Sequence, residues 1–186
     1  THGGAGRINR VRIDPHDEQH WYACAPAGGL WHSWDEGQTW DVFGVDVLAP
    51  LGVTDLWIDP EDADHLWLAT GDGNGGDTYS IGVLESWDGG MTWIPLELAF
   101  EPDQSRRIHA LEPHPSGNGH MWVATDIGLF QTLNGGATYD RRTRFFRGNA
   151  GVLAEEIQSQ EVPGQLGTYV AEFKIANNIN TKTLYK

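Results

Sequence analysis

One glycine-rich loop carries oxygen-bearing side chains at a spacing that suits a cation. Residues 71–78 read Gly-Asp-Gly-Asn-Gly-Gly-Asp-Thr, so Asp72, Asn74 and Asp77 lie close together in the chain. Calcium binds carboxylate and amide oxygens of this kind, and the glycines let the chain wrap tightly around an ion. We therefore predict a calcium site at these three residues. The alternative is a metal-free turn in which Asp and Asn accept hydrogen bonds from the loop backbone.

A second set of polar side chains recurs in three octets, at residues 33–40, 86–93 and 132–139. In each octet a hydroxyl residue stands two positions before Asp or Asn, and glycine, threonine and an aromatic residue follow. Such a carboxylate could act in catalysis, or it could accept backbone N–H groups in a hairpin turn where glycine supplies a positive φ. We predict the structural role for Ser33, Asp35, Gly37, Thr39 and Trp40, for Ser86, Asp88, Gly90, Thr92 and Trp93, and for Thr132, Asn134, Gly136, Thr138 and Tyr139.

The octets close three copies of a longer repeat that must position them. Each copy runs from an Asp-Pro or Glu-Pro pair through a histidine, an apolar stretch and a glycine to its octet. The octets begin 53 and then 46 residues apart, which is close to the length of one four-stranded propeller blade. The apolar stretches mix aromatic and β-branched residues between turn signals and show no helical period. We predict an all-β chain with about three such blades over residues 5–140.

The nine tryptophans all precede residue 140, and exposed rings among them could stack on sugars. Trp21, Trp67 and Trp122 lie in the apolar stretches, at what reads as one position of the repeat, so core packing is favoured for them. A histidine precedes each of these stretches. We expect these histidines to be polar turn residues rather than a metal cluster, because successive blades hold equivalent positions apart.

The octets resemble the Asp-box, or BNR repeat, of sialidases, sortilin-type ten-bladed propellers and many secreted bacterial proteins. Two of the three copies match fully, and in the third Asn134 keeps a hydrogen-bond acceptor without the charge. Residues 6–9, 52–55 and 71–84 further resemble the sortilin-like propellers of large Bacteroidetes proteins that the type IX secretion system exports. The resemblance implies a partial β-propeller, belonging to a larger one of up to ten blades, in a secreted or cell-surface protein.

Two families of propeller enzymes offer a catalytic alternative. Sialidases need an arginine triad, whereas residues 1–140 contain five arginines in two short stretches, and the Asp-boxes of that family lie away from its chemistry. Xyloglucanase-type enzymes use two acidic residues. Residues 124–130 resemble their Thr-Asp-x-Gly-Gly segment, but residues 25–27 of the first repeat contain no acid. The sequence therefore favours a non-catalytic propeller, with a secreted glycoside hydrolase as the alternative.

The overall charge argues against two classes of partner. The chain has a formal net charge of −14, and both nucleic acids and anionic lipids attract clustered Lys and Arg instead. No apolar stretch approaches the roughly 18 residues of a membrane helix, so membrane insertion is not expected. Cys24 is the single cysteine and cannot form an intrachain disulfide, so packing and hydrogen bonds must stabilise the fold.

The composition changes near residue 140. From Arg141 onward the chain has seven basic and four acidic residues, whereas residues 1–140 have five and 22. We predict a linker at residues 141–149 and a small β-sandwich-like module at residues 150–186, whose Gly-x-Tyr strand and basic ending resemble a type IX C-terminal sorting domain. The expected partners are the export machinery and a cell-surface glycan or protein. The expected destination is the outside of the bacterial outer membrane.

Overall fold

The computed structural model describes residues 6–44, 52–114 and 119–141, together with the strand backbones at residues 154–161, 169–175 and 182–184. Strands make up nearly all of the regular structure in these ranges, and a single 3-10 turn lies at Pro102–Gln104. None of the described residues belongs to a helix long and apolar enough to span a membrane. The predicted all-β class is confirmed.

The strands form four antiparallel sheets in which neighbouring strands follow one another along the chain. Sheet 1 contains β1 (Arg10–Asp14), β2 (Asp17–Ala25), β3 (Gly29–Ser33) and β4 (Asp41–Val42). Sheet 2 contains β5 (Val53–Ile58), β6 (Leu66–Thr70), β7 (Gly82–Ser86) and β8 (Ile94–Ala99). Sheet 3 contains β9 (Ile108–Pro113), β10 (Met121–Thr125), β11 (Gly128–Thr132) and β12 (Asp140–Arg141). The tail sheet contains β13 (Ala154–Glu161), β14 (Tyr169–Ile175) and β15 (Lys182–Leu184).

The chain divides into two compact units, Thr1–Ile108 and His109–Lys186. Sheets 1 and 2 lie in the first unit, while β10–β12 and the tail sheet lie in the second. Each of the three predicted repeats corresponds to one four-stranded sheet. The limits predicted near residues 140 and 150 rest on composition and stay a prediction.

Asp-Pro pairs begin the connections that join the first two strands of sheets 1 and 2. The Asp14 carboxylate accepts a hydrogen bond from the backbone N–H of His16 at 2.9 Å, and Asp59 accepts one from Glu61 at 2.9 Å. An Asp side chain that bonds the backbone two residues ahead closes such a turn locally. The same short motif therefore reverses the chain in both repeats.

The hydrophobic core of the first unit lies between sheets 1 and 2. Tyr22, Cys24 and Leu30 of sheet 1 pack with Leu56 and Leu68 of sheet 2, and all five are buried. The cross-strand pairing of Leu56 with Leu68 places both on the sheet 2 face that meets sheet 1. One face of each sheet thus meets its neighbour, as stacked sheets require.

A buried ion pair joins the first strands of these two sheets. The Arg12 guanidinium donates to both Asp55 carboxylate oxygens, from Nε at 3.0 Å and from Nη2 at 3.1 Å. The backbone N–H of Leu56 adds a third hydrogen bond at 3.0 Å. Arg10 Nε lies farther away, at 3.6 Å. Because the Asp55 side chain is fully buried, this bidentate partner compensates for its lost hydration.

The expectation that Trp21 and Trp67 occupy the same position of the repeat is wrong. Trp21 pairs with Ser33, the first residue of its octet, whereas in the second repeat Leu66 pairs with the equivalent Ser86. Trp67 lies one residue later than Leu66, and a shift of one residue along a strand reverses the face. Trp21 and Trp67 therefore occupy different repeat positions on opposite faces, and of the two only Trp67 is buried.

Candidate functional site

The first octet forms a turn closed by its own side chains. Ser33 Oγ donates to Asp35 Oδ1 at 2.7 Å and accepts the backbone N–H of Gly37 at 2.8 Å. The backbone N–H of Thr39 donates to Asp35 Oδ1, and its hydroxyl donates to Oδ2, both at 2.7 Å. Gly37 has a φ of +84°, which few other residues adopt. Both Asp35 carboxylate oxygens are therefore engaged inside the turn.

The other two octets have the same arrangement. In the second, Asp88 accepts the backbone N–H of Thr92 at 2.8 Å and its hydroxyl at 2.6 Å. In the third, Asn134 Oδ1 accepts the backbone N–H of Thr138 at 2.9 Å, and its Nδ2 donates to the Thr138 hydroxyl at 2.9 Å. The Asn134 amide thus donates to the threonine hydroxyl, whereas Asp88 accepts from it, and the turn is otherwise the same. The structural role of the octets fits these contacts.

The hydrogen bonds in the turns also set the acidity of their carboxyl groups. The backbone N–H and the hydroxyl of Thr39, with Ser33, lower the pKa of Asp35 to about 2. The Thr92 hydroxyl and backbone N–H, with Ser86, lower the pKa of Asp88. Both groups are thus held as carboxylates, the form that accepts these hydrogen bonds. A general acid at neutral pH needs the opposite shift.

The loop predicted to bind calcium closes around Asp72 instead of leaving its oxygens open. The fully buried Asp72 side chain accepts backbone N–H groups of Asn74, Gly75 and Asp77 at 3.0 to 3.1 Å. The guanidinium of Arg7 also bonds its Oδ2. Burial raises the pKa of Asp72, but the N–H groups of Asp77 and Asn74 and the Arg7 side chain outweigh it and keep the pKa below its usual value.

The three predicted calcium ligands are differently placed within this loop. Asp72 is buried at its centre, whereas the Asp77 side chain is 63% exposed and lies 3.5 Å from Arg7 Nη2. In the part of the chain that the structure describes, no group of three or more His, Cys, Asp or Glu side chains is arranged to hold a metal. A calcium ion at Asp72 would have to displace Arg7. Calcium binding by Asp72, Asn74 and Asp77 stays a prediction.

Two exposed tryptophans, one in each of the first two repeats, are arranged in a way that the sequence did not reveal. Trp34 and Trp87, the second residues of the first two octets, are 59% and 56% exposed. Trp34 lies flat on the His20 ring, with centroids 3.7 Å apart and planes 10° apart. Trp87 lies on His65 in the same way, at 3.6 Å and 9°. One face of each indole is therefore supported by the protein, and the other faces solvent.

The histidines beneath these indoles are held by carboxylates, of which Asp14 is buried and Asp59 is partly exposed. His20 Nδ1 lies 3.0 Å from Asp14 Oδ2, and His65 Nδ1 lies 3.0 Å from Asp59 Oδ2. These are the Asp residues whose other oxygens close the turns between the first two strands. A chain of contacts from turn to carboxylate to imidazole to indole thus fixes each tryptophan. We call each set, Asp14–His20–Trp34 and Asp59–His65–Trp87, a stack.

The surroundings of the two stacks differ in charge. His65 Nε2 lies 2.8 Å from Glu85 Oε1, and Trp67 Nε1 donates to the same oxygen at 3.0 Å. In the first stack His20 Nε2 lies 3.4 Å from His32 Nδ1 instead. Burial, and then the neighbouring His20, lower the pKa of His32. The second stack therefore has an additional carboxylate where the first has the His32 imidazole, whose neutral form is favoured by the lowered pKa.

The stacks and the Asp72 loop lie at opposite ends of the sheets. In an antiparallel sheet of consecutive strands, the turn after the first strand and the turn after the third strand share one end, so each stack brings these two turns together. His16 Nε2 donates to the Asp59 carbonyl oxygen at 2.8 Å, which links the equivalent turns of sheets 1 and 2. The Asp72 loop follows the second strand and therefore lies at the other end.

The sequence contains a signal for the stacks, distributed over each repeat. Asp-Pro, His and Ser-Trp-Asp recur at matching positions in the first two repeats. In the third repeat the backbone N–H of His114 donates to the His120 carbonyl, as that of Asp59 does to His65, so His114 stands in place of the aspartate, and an exposed Leu133 stands in place of the tryptophan. Only the strand register shows that the three parts meet. Without the register, the histidines read as polar turn residues.

No family model and no curated protein matches the chain. Among solved structures it is similar to an ancestral GH74 enzyme, with 16% identity over 96% of this chain and a TM-score of 0.61. It is also similar to a GH74 xyloglucanase from Xanthomonas campestris, with 24% identity over 75% and a TM-score of 0.54. A third is the extracellular domain of a one-component system from B. thetaiotaomicron, with 16% identity over 88% and a TM-score of 0.57.

The chain is part of a β-propeller. It spans 25%, 21% and 20% of the lengths of these three structures, in the order given. At these identities the similarity establishes the fold and leaves the activity open. The predicted fold class, a partial β-propeller, is therefore confirmed.

Proposed function

We propose that this chain is a non-catalytic binding part of a propeller in a large secreted or cell-surface protein. The observation that carries the proposal is the pair of rigid, exposed indoles at Trp34 and Trp87. Aromatic rings supply a large contact area, and a ring that is held in place loses little entropy when a ligand stacks on it. The stacks thus supply the contact surface that such a function needs.

The acidic residues support binding rather than hydrolysis. In the described residues the buried acids are Asp14, Asp55 and Asp72. Asp14 bonds His20, whereas Asp55 and Asp72 form ion pairs with arginine. A glycoside hydrolase needs two carboxyl groups that are available to its substrate as acid and base. These three are engaged in holding the fold.

The ligand class favoured by the stacks is a glycan or a protein at the cell surface. A flat indole face stacks on the apolar face of a sugar ring or on a proline or aliphatic side chain, and the nearby carboxylates can accept hydrogen bonds from hydroxyl or amide groups. The net charge of −14 disfavours acidic ligands. The extracellular origin of one similar structure supports the same location for this chain.

The test is binding to an array of neutral plant and bacterial glycans, with Trp34→Ala, Trp87→Ala and the double variant. We expect each single variant to weaken the binding of the unchanged chain and the double variant to abolish it. Met91→Ala is the matched control, because Met91 is an apolar octet residue that is 81% exposed and takes no part in either stack. Equal binding by the double variant and the control would contradict the proposal.

A glycoside hydrolase is the second candidate, favoured by the similarity to two GH74 structures. Asp126 lies in the turn between β10 and β11, where the Thr125 hydroxyl donates to the Gly128 carbonyl at 2.8 Å. This is the segment that resembles the xyloglucanase motif. Release of reducing ends from xyloglucan by the unchanged chain, and its loss in Asp126→Asn, would establish this candidate. An inactive chain that binds glycans through Trp34 and Trp87 would favour the first proposal.

A further inference from the structure

Two Asn-Gly pairs in this chain share a local sequence but have different surroundings. Residues 74–76 and 134–136 both read Asn-Gly-Gly, and both asparagines are exposed. The first pair lies in the Asp72 loop and the second in the third octet. Glycine after asparagine leaves the next backbone nitrogen open to attack the side-chain amide, because glycine has no Cβ. The contacts made by the fold then decide which of the two pairs reacts.

The turn of the third octet holds the Asn134 side chain in place. Its Oδ1 accepts the Thr132 hydroxyl and the backbone N–H of Thr138, and its Nδ2 donates to the Thr138 hydroxyl, each at 2.9 Å. The backbone N–H of Gly135 donates to the Gly119 carbonyl oxygen at 2.8 Å. The side-chain hydrogen bonds must open before the amide can turn towards the Gly135 nitrogen, and a carbonyl oxygen is a poor acceptor for the proton that this nitrogen must lose.

Asn74 is not restrained in this way. In the part of the chain that the structure describes, its side chain makes no hydrogen bond, and its backbone N–H donates to Asp72 Oδ1 at 3.1 Å. The Gly75 N–H donates to the same carboxylate oxygen at 3.0 Å. A carboxylate at this distance is within reach of the proton, as a general base must be. The Asn74 amide can therefore turn, and a proton acceptor stands at the nitrogen that would attack it.

The packing of the loop explains why residue 75 is a glycine. A Cβ there would lie 2.5 Å from Asp72 Oδ2 and 2.8 Å from Arg7 Nη2, and both distances are too short for a carbon atom. The ion pair of Asp72 with Arg7 stabilises the loop and keeps the carboxylate beside the Gly75 N–H. The fold thus requires the residue that leaves the attacking nitrogen unhindered.

We propose that Asn74 is a site of spontaneous deamidation in the folded protein and that Asn134 is protected from it. The Gly75 nitrogen bonds to Cγ of Asn74 and loses its proton, and the side-chain nitrogen leaves as ammonia, which closes a cyclic imide. Water then opens the imide. Opening at the side-chain carbonyl gives aspartate, and opening at the main-chain carbonyl gives isoaspartate, in which the backbone runs through the former side chain.

Deamidation changes the charge and the shape of the Asp72 loop. Either product adds a negative charge to a loop that already holds Asp72, Asp77 and their partner Arg7. Isoaspartate also lengthens the backbone and so displaces the N–H groups of Asn74 and Gly75 that bond Asp72. The reaction is independent of ligand binding by the tryptophan stacks, which lie at the opposite end of the sheets.

Peptide mapping by mass spectrometry tests the proposal on the unchanged chain, incubated at mildly alkaline pH. Exchange of ammonia for water raises the peptide mass, and fragment spectra assign the change to single residues, including Asn118, which lies outside the described residues. We expect Asn74 to convert at least roughly tenfold faster than Asn134 in the folded chain, because the hydrogen bonds of Asn134 must open first. In guanidinium chloride both should convert at similar rates. Asn74→Ser, which lacks the amide, is the control and should show no change at residue 74.

Three results would overturn the proposal. Equal conversion of Asn74 and Asn134 in the folded chain means that the octet hydrogen bonds give no protection. An Asn74 that stays intact in the folded chain and converts in denaturant means that the Asp72 loop protects it. A difference in rate that persists in denaturant means that the local sequence, and not the fold, decides which asparagine reacts.

Discussion

At the scale of single residues, the octets show that the turn forms whether its central side chain is a charged Asp or an uncharged Asn. Asn134 makes the turn contacts of Asp35 with an uncharged side chain. The pKa of Asp35 is about 2, below its ordinary value, so the folded state favours the carboxylate. A depressed folded-state pKa stabilises the fold above the unfolded-state pKa, and this contribution is lost as the pH falls through the folded-state pKa.

We therefore predict that Asp35→Asn keeps the turn but removes part of the acid sensitivity. Between about pH 4 and about pH 2 the unfolding midpoint in urea should fall for the unchanged chain and fall less for Asp35→Asn. Asp35→Ala should lower the midpoint at neutral pH, because the N–H of Thr39 loses its acceptor. If Asp35→Asn and Asp35→Ala are equally destabilised at neutral pH, the hydrogen bonds of the Asp35 side chain in the turn do not explain its contribution to stability.

Cys24 gives a second prediction at this scale. Burial, with the nearby Asp55 carboxylate, raises the pKa of the Cys24 thiol well above its ordinary value. The thiolate is the reactive form, so a buried and protonated thiol is inert. We predict that a disulfide reagent at about pH 8 leaves the folded chain unmodified and reacts fully after denaturation in urea. Rapid reaction of the folded chain would show that the contact between sheets 1 and 2 opens readily.

At the scale of strands and sheets, the sequence predicted the positions of the repeats better than it predicted which residues pair between strands. The octet spacing and the alternation of turn signals located all three four-stranded repeats. The assignment of Trp21 failed because a shift of one residue reverses the face of a strand, and aromatic residues on both faces hid the shift. The stacks were missed for a related reason, since Asp14, His20 and Trp34 meet only when the strands are paired.

The ion pair between β1 and β5 gives a prediction about the contact between two sheets. Arg12→Met leaves the fully buried Asp55 without its bidentate partner, which should destabilise the fold by about 3 kcal/mol. Arg10→Met is the matched control and should cost less, because Arg10 Nε lies 3.6 Å from Asp55. Urea unfolding of both variants measures the difference. Equal losses of stability in the two variants would mean that the positive charge near Asp55 matters and the bidentate hydrogen bonding does not.

The Asp72 loop gives a prediction at the scale of one element. If calcium binds there, a chelator should lower the melting temperature of the unchanged chain, and Asp77→Ala should remove that sensitivity. Asp77 is the better test because its side chain is largely exposed, whereas Asp72 also holds the loop backbone. Added calcium should restore the original melting curve. Identical curves with and without chelator would leave the loop as a turn capped by Arg7.

At the scale of the whole molecule, the repeat pattern predicts more about architecture than about activity. A period of about one blade determines that each repeat buries its faces against neighbouring repeats, and the sequence alone therefore indicated a partial propeller. Function depends on which side chains and loops lie at the ends of the sheets. Trp34 and the Asp72 loop lie at those ends, where the hydrophobic pattern places no constraint, so their roles could not be predicted from periodicity.

The destination of the protein is the last prediction at this scale. Residues 150–186 include the tail sheet and carry a basic ending, in contrast to the acidic repeats before them. We predict that this segment carries or adjoins a type IX export signal. Its fusion to a periplasmic fluorescent protein, with the β-strand backbone from Ala154 onward kept intact, should appear outside a bacterium that has the type IX system. An established sorting domain is the positive control, and deletion of the type IX pore is the negative control. If the reporter stays in the periplasm while the positive control is exported, the tail is not a sufficient signal.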